Sequence, residues 1–219
     1  MKRRPRPAAR TEPWHPCAWQ VQSLLLAYPD EQMAERLSLA RRAAPVLPAR
    51  VRDPLLAFTA HAERTSAAEL GTAYVATFDH RKRCCPYLTY YAHGDTRRRG
   101  IALLRLKQAY AAAGLRLADD ELPDHLAVVL EFAAAEPAAG HRLLTEHRAG
   151  LELLRLALRA EDSPWAAVLE SVSATLPPLG GAEQDAVARL AAQGPPEEQV
   201  GLAPYTPPQF MPDPAGGPR

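Results

Sequence analysis

The chain has 219 residues, of which 47% are hydrophobic and 23% charged, and its formal net charge is +1. This composition is ordinary for a globular protein, and the length is enough for one domain with a sizeable core. The small net charge excludes a general attraction to nucleic acid or anionic lipid, although arginines cluster locally. No run approaches the roughly 18 apolar residues of a membrane span, and three cysteines do not form a disulfide framework.

The chain begins with a basic segment, MKRRPRPAAR, that contains five cationic residues and no acidic residue. Prolines and charges follow it where a secretory signal peptide would have an apolar core. We therefore predict a disordered basic leader over residues 1–15 and a cytoplasmic location for the protein.

Nine amphipathic segments follow in chain order, rich in Leu, Ala, Arg and Glu and poor in β-branched residues, as is typical of helices. Local signals mark several helix ends; Ser66 and Glu69, for example, form a capping-box pattern at the start of the fourth segment. The predicted helical segments are 17–30, 30–48, 51–65, 66–79, 96–114, 122–135, 144–162, 163–177 and 182–193.

These segments predict one all-α domain, because the sequence has no strand-like alternation, no internal repeat and no Gly-Pro linker in its middle. We expect a single-domain helical bundle of about eight or nine helices over residues 16–193. Proline and glycine dominate the sequence that follows, and we predict a flexible tail over residues 194–219.

The stretch YYAHGDTRRRG, residues 90–100, is richer in polar and aromatic side chains than a connecting loop requires. Nearby, the sequence contains residue types that can bind zinc, namely His80, Cys84, Cys85 and His93. Adjacent cysteines do not easily direct both thiolates at one ion, so we predict no metal. A cysteine paired with a histidine base would indicate a small helical enzyme, and this alternative stays open.

The cations and tyrosines of the same region suggest three further interpretations. The arginines at 97–99 point in three directions around a helix, and no aromatic stacking platform is visible, so we predict no binding of nucleic acid. Tyr87, Tyr90 and Tyr91 instead offer amphipathic rings that suit the groove of a peptide-binding protein. The alternative is that these tyrosines only pack a loop onto the core.

Residues 74–134 carry a specific pattern, strongest in the segments LTYYAHGDTR and ELPDHL followed by VLEF. The segments LLLAYPDE and DPL, nearer the N-terminus, agree with it. This pattern resembles the NarJ-type molybdenum cofactor assembly chaperones of respiratory nitrate reductase. The resemblance implies an all-helical TorD-like fold of the redox enzyme maturation group, and a chaperone without a cofactor of its own rather than an enzyme.

The resemblance also implies the partners. Such a chaperone binds the N-terminal segment of the apo catalytic α subunit of nitrate reductase in the cytoplasm. It holds that subunit for insertion of the molybdenum cofactor and delays its docking at the membrane, without stable membrane insertion of its own. Cofactor delivery proteins are further implied partners. A chaperone for another molybdoenzyme, such as a dimethyl sulfoxide or selenate reductase, is the closest alternative.

Carried over by position, the family's acidic loop falls on residues 121–125 and its turn on residues 93–95, and the resemblance implies that both bind the client. We expect Asp124 and Asp95 to meet a basic client peptide, Asp95 also to cap the next helix, and Gly94 and Gly100 to allow tight turns. His80 and the segment Cys84-Cys85-Pro86 depart from the family pattern. The candidate residues are Tyr87, Tyr90, Tyr91, His93, Asp95, Glu121, Pro123, Asp124 and His125.

Overall fold

The computed structural model describes residues 11–118 and 121–193. The first ten residues of the predicted leader and the whole predicted tail, 194–219, lie outside the described residues. The eleven α-helices within the described ranges are α1 (His15–Leu26), α2 (Met33–Ala43), α3 (Ala49–Ala62), α4 (Ala67–Phe78), α5 (Leu88–His93), α6 (Arg97–Ala112), α7 (Leu126–Ala135), α8 (Pro137–Glu146), α9 (Arg148–Ala160), α10 (Trp165–Ala174) and α11 (Gly181–Gln193).

The predicted all-α class is confirmed, with two more helices than the nine sequence segments. The first addition is α5, a short helix inside the polar stretch that was expected to be a loop. The second is α8, which starts with Pro137 at its first position, where the missing N–H of proline costs nothing. The capping box is also confirmed, since Ser66 and the Glu69 side chain each bond the other's backbone N–H.

Residues just before α1 contact the helical domain. The backbone N–H of Glu12 donates to Nδ1 of His15 at 2.6 Å, and the guanidinium of Arg50 lies 5.5 Å from the ring centroid of Trp14. His15 itself is 5% exposed and begins α1. Residues 11–15, part of the predicted leader, therefore pack against the domain.

Trp165 at the start of α10 is the centre of the aromatic core. Its side chain is fully buried and lies 5.4–5.7 Å, between ring centroids, from Tyr74, Phe78 and Phe58. Its indole N–H donates to the carbonyl of Leu25 at 3.2 Å, so the one polar atom of this ring is satisfied. The cluster joins α1, α3, α4 and α10.

Helix α1 runs through the middle of the bundle and packs against both α7 and α10. A series of buried hydrogen bonds fixes the position of α1. The Gln22 side-chain amide donates to Oγ of Ser171 at 2.8 Å, and that hydroxyl donates to the carbonyl of Val51 at 2.8 Å. On the other side, Oγ of Ser23 donates to the carbonyl of Ala127 at 2.8 Å. Buried hydrogen bonds of this kind fix one register between helices.

Helix α6 lies at the edge of this arrangement. Its buried residues, Leu106 and Tyr110, form with Phe132 of α7 a small apolar cluster that is separate from the main core. The Tyr110 hydroxyl donates to the carbonyl of Pro123 at 2.6 Å. Among the helices in the described ranges, none is both long enough and apolar enough to span a membrane.

Candidate functional site

The acidic loop pairs directly with residues 86–88, which lie just before the polar stretch. The backbone N–H of Leu88 donates to the carbonyl of Asp124, and that of Leu126 donates to the carbonyl of Pro86, each at 2.9 Å. Tyr87 and His125 thereby face each other as an isolated antiparallel bridge, with ring centroids 5.4 Å apart. Two stretches that the sequence resemblance emphasised are therefore parts of one structural unit.

Asp124 is fully buried in this unit. Its Oδ2 accepts hydrogen bonds from the backbone N–H of Thr89 at 3.3 Å and from the Thr89 hydroxyl, and the guanidinium of Arg99 lies 3.4 Å away. Oδ1 has no hydrogen-bond partner among the described residues. The carboxylate therefore does not reach the surface, where the sequence led us to expect it to meet a client peptide.

Arg99 joins Asp124 to the turn before α6. Its guanidinium also donates to Oδ1 of Asp95 at 3.0 Å and lies 5.4 Å from the ring centroid of Tyr87. Asp95 forms this ion pair instead of capping α6; the N-cap residue is Thr96, whose hydroxyl donates to the carbonyl of His93. The expected capping role of Asp95 is therefore wrong.

The two glycines of the stretch have different roles. Gly94 has φ 57° and ψ −158°, a backbone conformation that is essentially restricted to glycine, and it allows the sharp turn after α5. Gly100 lies inside the first turns of α6, with no atom within 4 Å of the position a Cβ would take. The expectation of a tight turn holds for Gly94 and is wrong for Gly100.

The three tyrosines also separate. Tyr91 is 5% exposed, and its hydroxyl lies 3.1 and 3.0 Å from the carbonyl oxygens of Arg83 and Cys85, so this residue packs the loop onto the core. Tyr90 is half-buried beside it, with ring centroids 5.9 Å apart. Tyr87 alone lines the groove described next.

A groove of about 480 Å³ opens between α1, α7 and the acidic loop. Three of the nine predicted residues, Tyr87, Glu121 and His125, line it. Pro123, like Asp124, is buried, and the groove lining includes neither of them nor His93 and Asp95. The full lining is Gln20, Ser23, Leu24, Ala27, Tyr28, Gln32, Arg36, Tyr74, Tyr87, Glu121, Leu122, His125, Ala127, Val128 and Glu131.

Most of the groove wall was not among the predicted residues. Helix α1 contributes Leu24, and Tyr28 lies just beyond the end of this helix, after the extended Ala27. Tyr28 is 51% exposed and Leu122, in the acidic loop, is 42% exposed. Exposed large apolar side chains gathered around one concavity are typical of binding surfaces. Their signal in the sequence, a tyrosine that ends a helix before Pro29, is weak.

The charges at the groove are predominantly acidic. Glu121 and Glu131 are both exposed at its wall. Among the described residues of the lining the one cation is Arg36, which donates to Oδ2 of Asp30 and to the carbonyl of Tyr28, each at 2.8 Å. Burial lowers the pKa of His125, opposed by the nearby Asp124 carboxylate, so this imidazole is neutral near pH 7. The groove can therefore receive a segment with apolar and basic side chains.

The thiols of the region are ordinary or less reactive than ordinary. Burial raises the pKa of Cys84, which is fully buried, and raises that of Cys85 to about 11. Both are protonated at neutral pH, whereas a nucleophilic cysteine needs its thiolate. No group of three or more His, Cys, Asp or Glu within residues 11–118 and 121–193 is placed to hold a metal ion.

Comparison with known proteins gives consistent matches in sequence and in fold. The family called nitrate reductase delta subunit matches residues 44–170. NarJ of Bacillus subtilis, described as a nitrate reductase molybdenum cofactor assembly chaperone, is 36% identical over 160 residues, which are 72% of this chain and 87% of that protein. The nitrate reductase-like protein NarX of Mycobacterium tuberculosis is 36% identical over 163 residues, which are 74% of this chain.

The chain spans only 24% of the length of NarX, so the activity of that whole protein is not transferred here. Among solved structures, one described as a redox enzyme maturation protein from Archaeoglobus fulgidus matches with a TM-score of 0.56 and 22% identity. The match covers 78% of this chain and 98% of that one, and it confirms the predicted TorD-like fold. The family match and the NarJ relative together show that this chain belongs to the nitrate reductase delta subunit family, the family of the NarJ-type assembly chaperones.

Proposed function

We propose that the protein is an assembly chaperone that binds the N-terminal segment of the apo α subunit of nitrate reductase in the groove between α1, α7 and the acidic loop. It holds that subunit in the cytoplasm for insertion of the molybdenum cofactor and for later assembly at the membrane. The observation that carries the proposal is the convergence of Tyr87, Glu121 and His125 with Tyr28 around one groove.

The shape of the groove fits a short helical segment. On α1, the groove wall runs from Gln20 to Leu24, about 6 Å of helix at 1.5 Å per residue, and Ala27 and Tyr28 continue the wall past the end of the helix. This wall fits the apolar face of a bound amphipathic helix, which would contact Leu24, Tyr28 and Leu122. Aromatic and leucine side chains around such a concavity are expected to supply most of the affinity.

The charges favour a basic segment. Glu121 and Glu131 stand at the wall, and the guanidinium of Arg36 is already paired with Asp30. Lysine or arginine in the client would pair with these carboxylates at the rim, which chiefly affects the association rate and the register of binding. Asp124 lies behind the groove, and its partner Arg99 contacts the ring of Tyr87 at the groove wall.

The relatives support a nitrate reductase as the client. Proteins described as assembly chaperones of nitrate reductase occur in Bacillus subtilis and in Escherichia coli, the latter 32% identical over 120 residues. A nitrate reductase α subunit is therefore the client we propose, with the cofactor delivery proteins as transient partners. The same groove could serve the α subunit of another molybdoenzyme, and the experiment below distinguishes the two clients.

The test is complementation of a strain that lacks this protein. Wild-type protein should restore both the molybdenum content and the activity of nitrate reductase, and Glu131→Lys at the groove should restore much less. The matched control is Glu146→Lys, an exposed glutamate at the end of α8, which should complement fully. Normal nitrate reductase together with a cofactor-free dimethyl sulfoxide or selenate reductase in the deletion strain would assign the other client instead.

A further inference from the structure

Helix α6 presents a second exposed surface that shares no residue with the groove. Its outward face carries two large aliphatic side chains, Ile101 and Leu104, which are 58% and 55% exposed. Arg98 lies three residues before Ile101 and Arg105 four residues after it, so all four side chains share one face of the helix. We call these four residues the outward face of α6.

The charge around this face is entirely positive. Six cationic residues and no acidic residue occur between Thr96 and Ala118. One of them, Arg99, turns inward to Asp124. Arg98 and Arg105 are exposed and make no hydrogen bond or ion pair with any residue that the structure describes. The outward face is therefore a cationic surface with an aliphatic centre, on a chain whose net charge is only +1.

The packing of α6 leaves this face free. The helix is held from its opposite side, by Leu106 and Tyr110 against Phe132 of α7. Beyond the helix, Leu115 is 38% exposed and is followed by the exposed Arg116, so the same combination of aliphatic and cationic side chains continues past the turn at Gly114. A convex helix with this composition is suited to lie on a surface rather than to enclose a ligand.

The side chains of the outward face of α6 indicate which kind of anionic partner fits it. Binding of single-stranded nucleic acid relies on aromatic platforms, and Tyr110, the only aromatic residue of α6, is buried. A helical peptide needs a groove, and this face is convex. Aliphatic side chains flanked by arginines, whose long stems let the guanidinium reach phosphate, are typical of a helix that lies in a lipid headgroup layer.

We propose that α6 docks this face reversibly on an anionic lipid surface, with Ile101 and Leu104 entering the headgroup layer and Arg98 and Arg105 pairing with lipid phosphates. Two aliphatic side chains bury little area, so binding is weak, depends on acidic lipid and falls with salt. No membrane span is involved. The proposal does not depend on what the groove binds.

The test is sedimentation of the full chain with vesicles made of equal parts phosphatidylglycerol and phosphatidylcholine, and with vesicles of phosphatidylcholine alone. We expect binding only to the acidic vesicles. The double variant Arg98→Glu/Arg105→Glu should lower partitioning roughly tenfold or more, because each cation near an anionic surface contributes about fivefold. The double variant Ile101→Ser/Leu104→Ser should also lower partitioning, because it removes the aliphatic side chains that enter the headgroup layer. All four positions are exposed, so circular dichroism should show an intact fold.

The basic leader carries cations of its own, so a matched control is needed. Arg42, near the end of α2, and Val46, which lies three residues beyond it and is 62% exposed, form an exposed cationic and aliphatic pair, and Arg42→Glu/Val46→Ser should bind acidic vesicles like the parent chain. Absence of binding, or equal binding by the α6 variants, overturns the proposal. Equally tight binding of a single-stranded oligonucleotide by the parent chain overturns the assignment to lipid, because it would indicate a site for any polyanion.

Discussion

Arg99 and Asp124 form an ion pair that joins the start of α6 to the acidic loop, with 3.4 Å between the guanidinium nitrogen and Oδ2. The Asp124 side chain is fully buried and that of Arg99 is 18% exposed. The same guanidinium reaches Asp95, which is 76% exposed. One arginine thus connects a buried carboxylate, an exposed carboxylate and the ring of Tyr87 at the groove wall.

Replacing Asp124 by alanine should destabilise the protein. The change removes the acceptor of the Thr89 hydroxyl and the buried one of the two carboxylates that Arg99 contacts. Removing one partner of a largely buried pair costs about 3 kcal/mol in the free energy of unfolding. Urea unfolding measures this change. Asp95→Ala removes the exposed partner of the same arginine and should change stability little. Equal effects of the two substitutions would contradict the structural role of Asp124.

Replacing Gly94 or Gly100 by alanine should change the free energy of unfolding in opposite directions. Gly94→Ala places a Cβ on a backbone with φ 57° and should lower the free energy of unfolding by about 1–3 kcal/mol. Gly100→Ala, in an exposed helical position with nothing within 4 Å, should raise it by about 0.5–1 kcal/mol. Thermal unfolding of both variants compares them, and a stabilising effect at Gly94 would be inconsistent with the turn described here.

Stability should fall as the pH drops below about 6.5, the ordinary pKa of histidine. Burial lowers the pKa of four histidines in the folded protein, so the unfolded chain binds more protons than the folded chain in this range. The loss begins at the unfolded pKa and continues until the pH has passed the folded pKa values. The four residues are His15, His125, His141 and His147.

Unfolding by urea at about pH 7.5 and about pH 5.5 measures this dependence. The carboxylates with lowered pKa values titrate at lower pH and contribute little between these two points. His141→Gln removes one of the four groups and should reduce the difference in unfolding free energy between the two conditions. The same unfolding free energy of the parent chain at both pH values would show that burial of these histidines does not control the response.

The sequence predicted the helical class and most helices because apolar spacing and capping signals are local properties of the chain. The Ser66–Glu69 capping box is an example that the structure confirms. The short α5 was missed because a helix of six residues has almost no periodicity to detect. Asp95 precedes α6 closely enough to suggest a cap, but in the structure it pairs with Arg99, one turn further on, and Thr96 is the N-cap residue.

The groove was only partly predictable from the sequence. Tyr87, Glu121 and His125 were found through the family pattern, which also included Asp124 and Pro123 without indicating that both are buried. Burial depends on the pairing of two loops distant in sequence, and no local pattern reveals it. Tyr28 and Glu131 were missed for the same reason, since they join the site only when α1 packs beside α7.

The measurement that tests the central claim most directly is calorimetric titration of the full chain with a synthetic peptide of the N-terminal segment of the nitrate reductase α subunit from the same organism. We expect saturable binding that Leu122→Ala in the groove weakens. Leu156→Ala, on α9 and 43% exposed against 42% for Leu122, should leave the affinity unchanged. No binding by the folded parent chain, or an equal loss of affinity in both variants, would contradict the account.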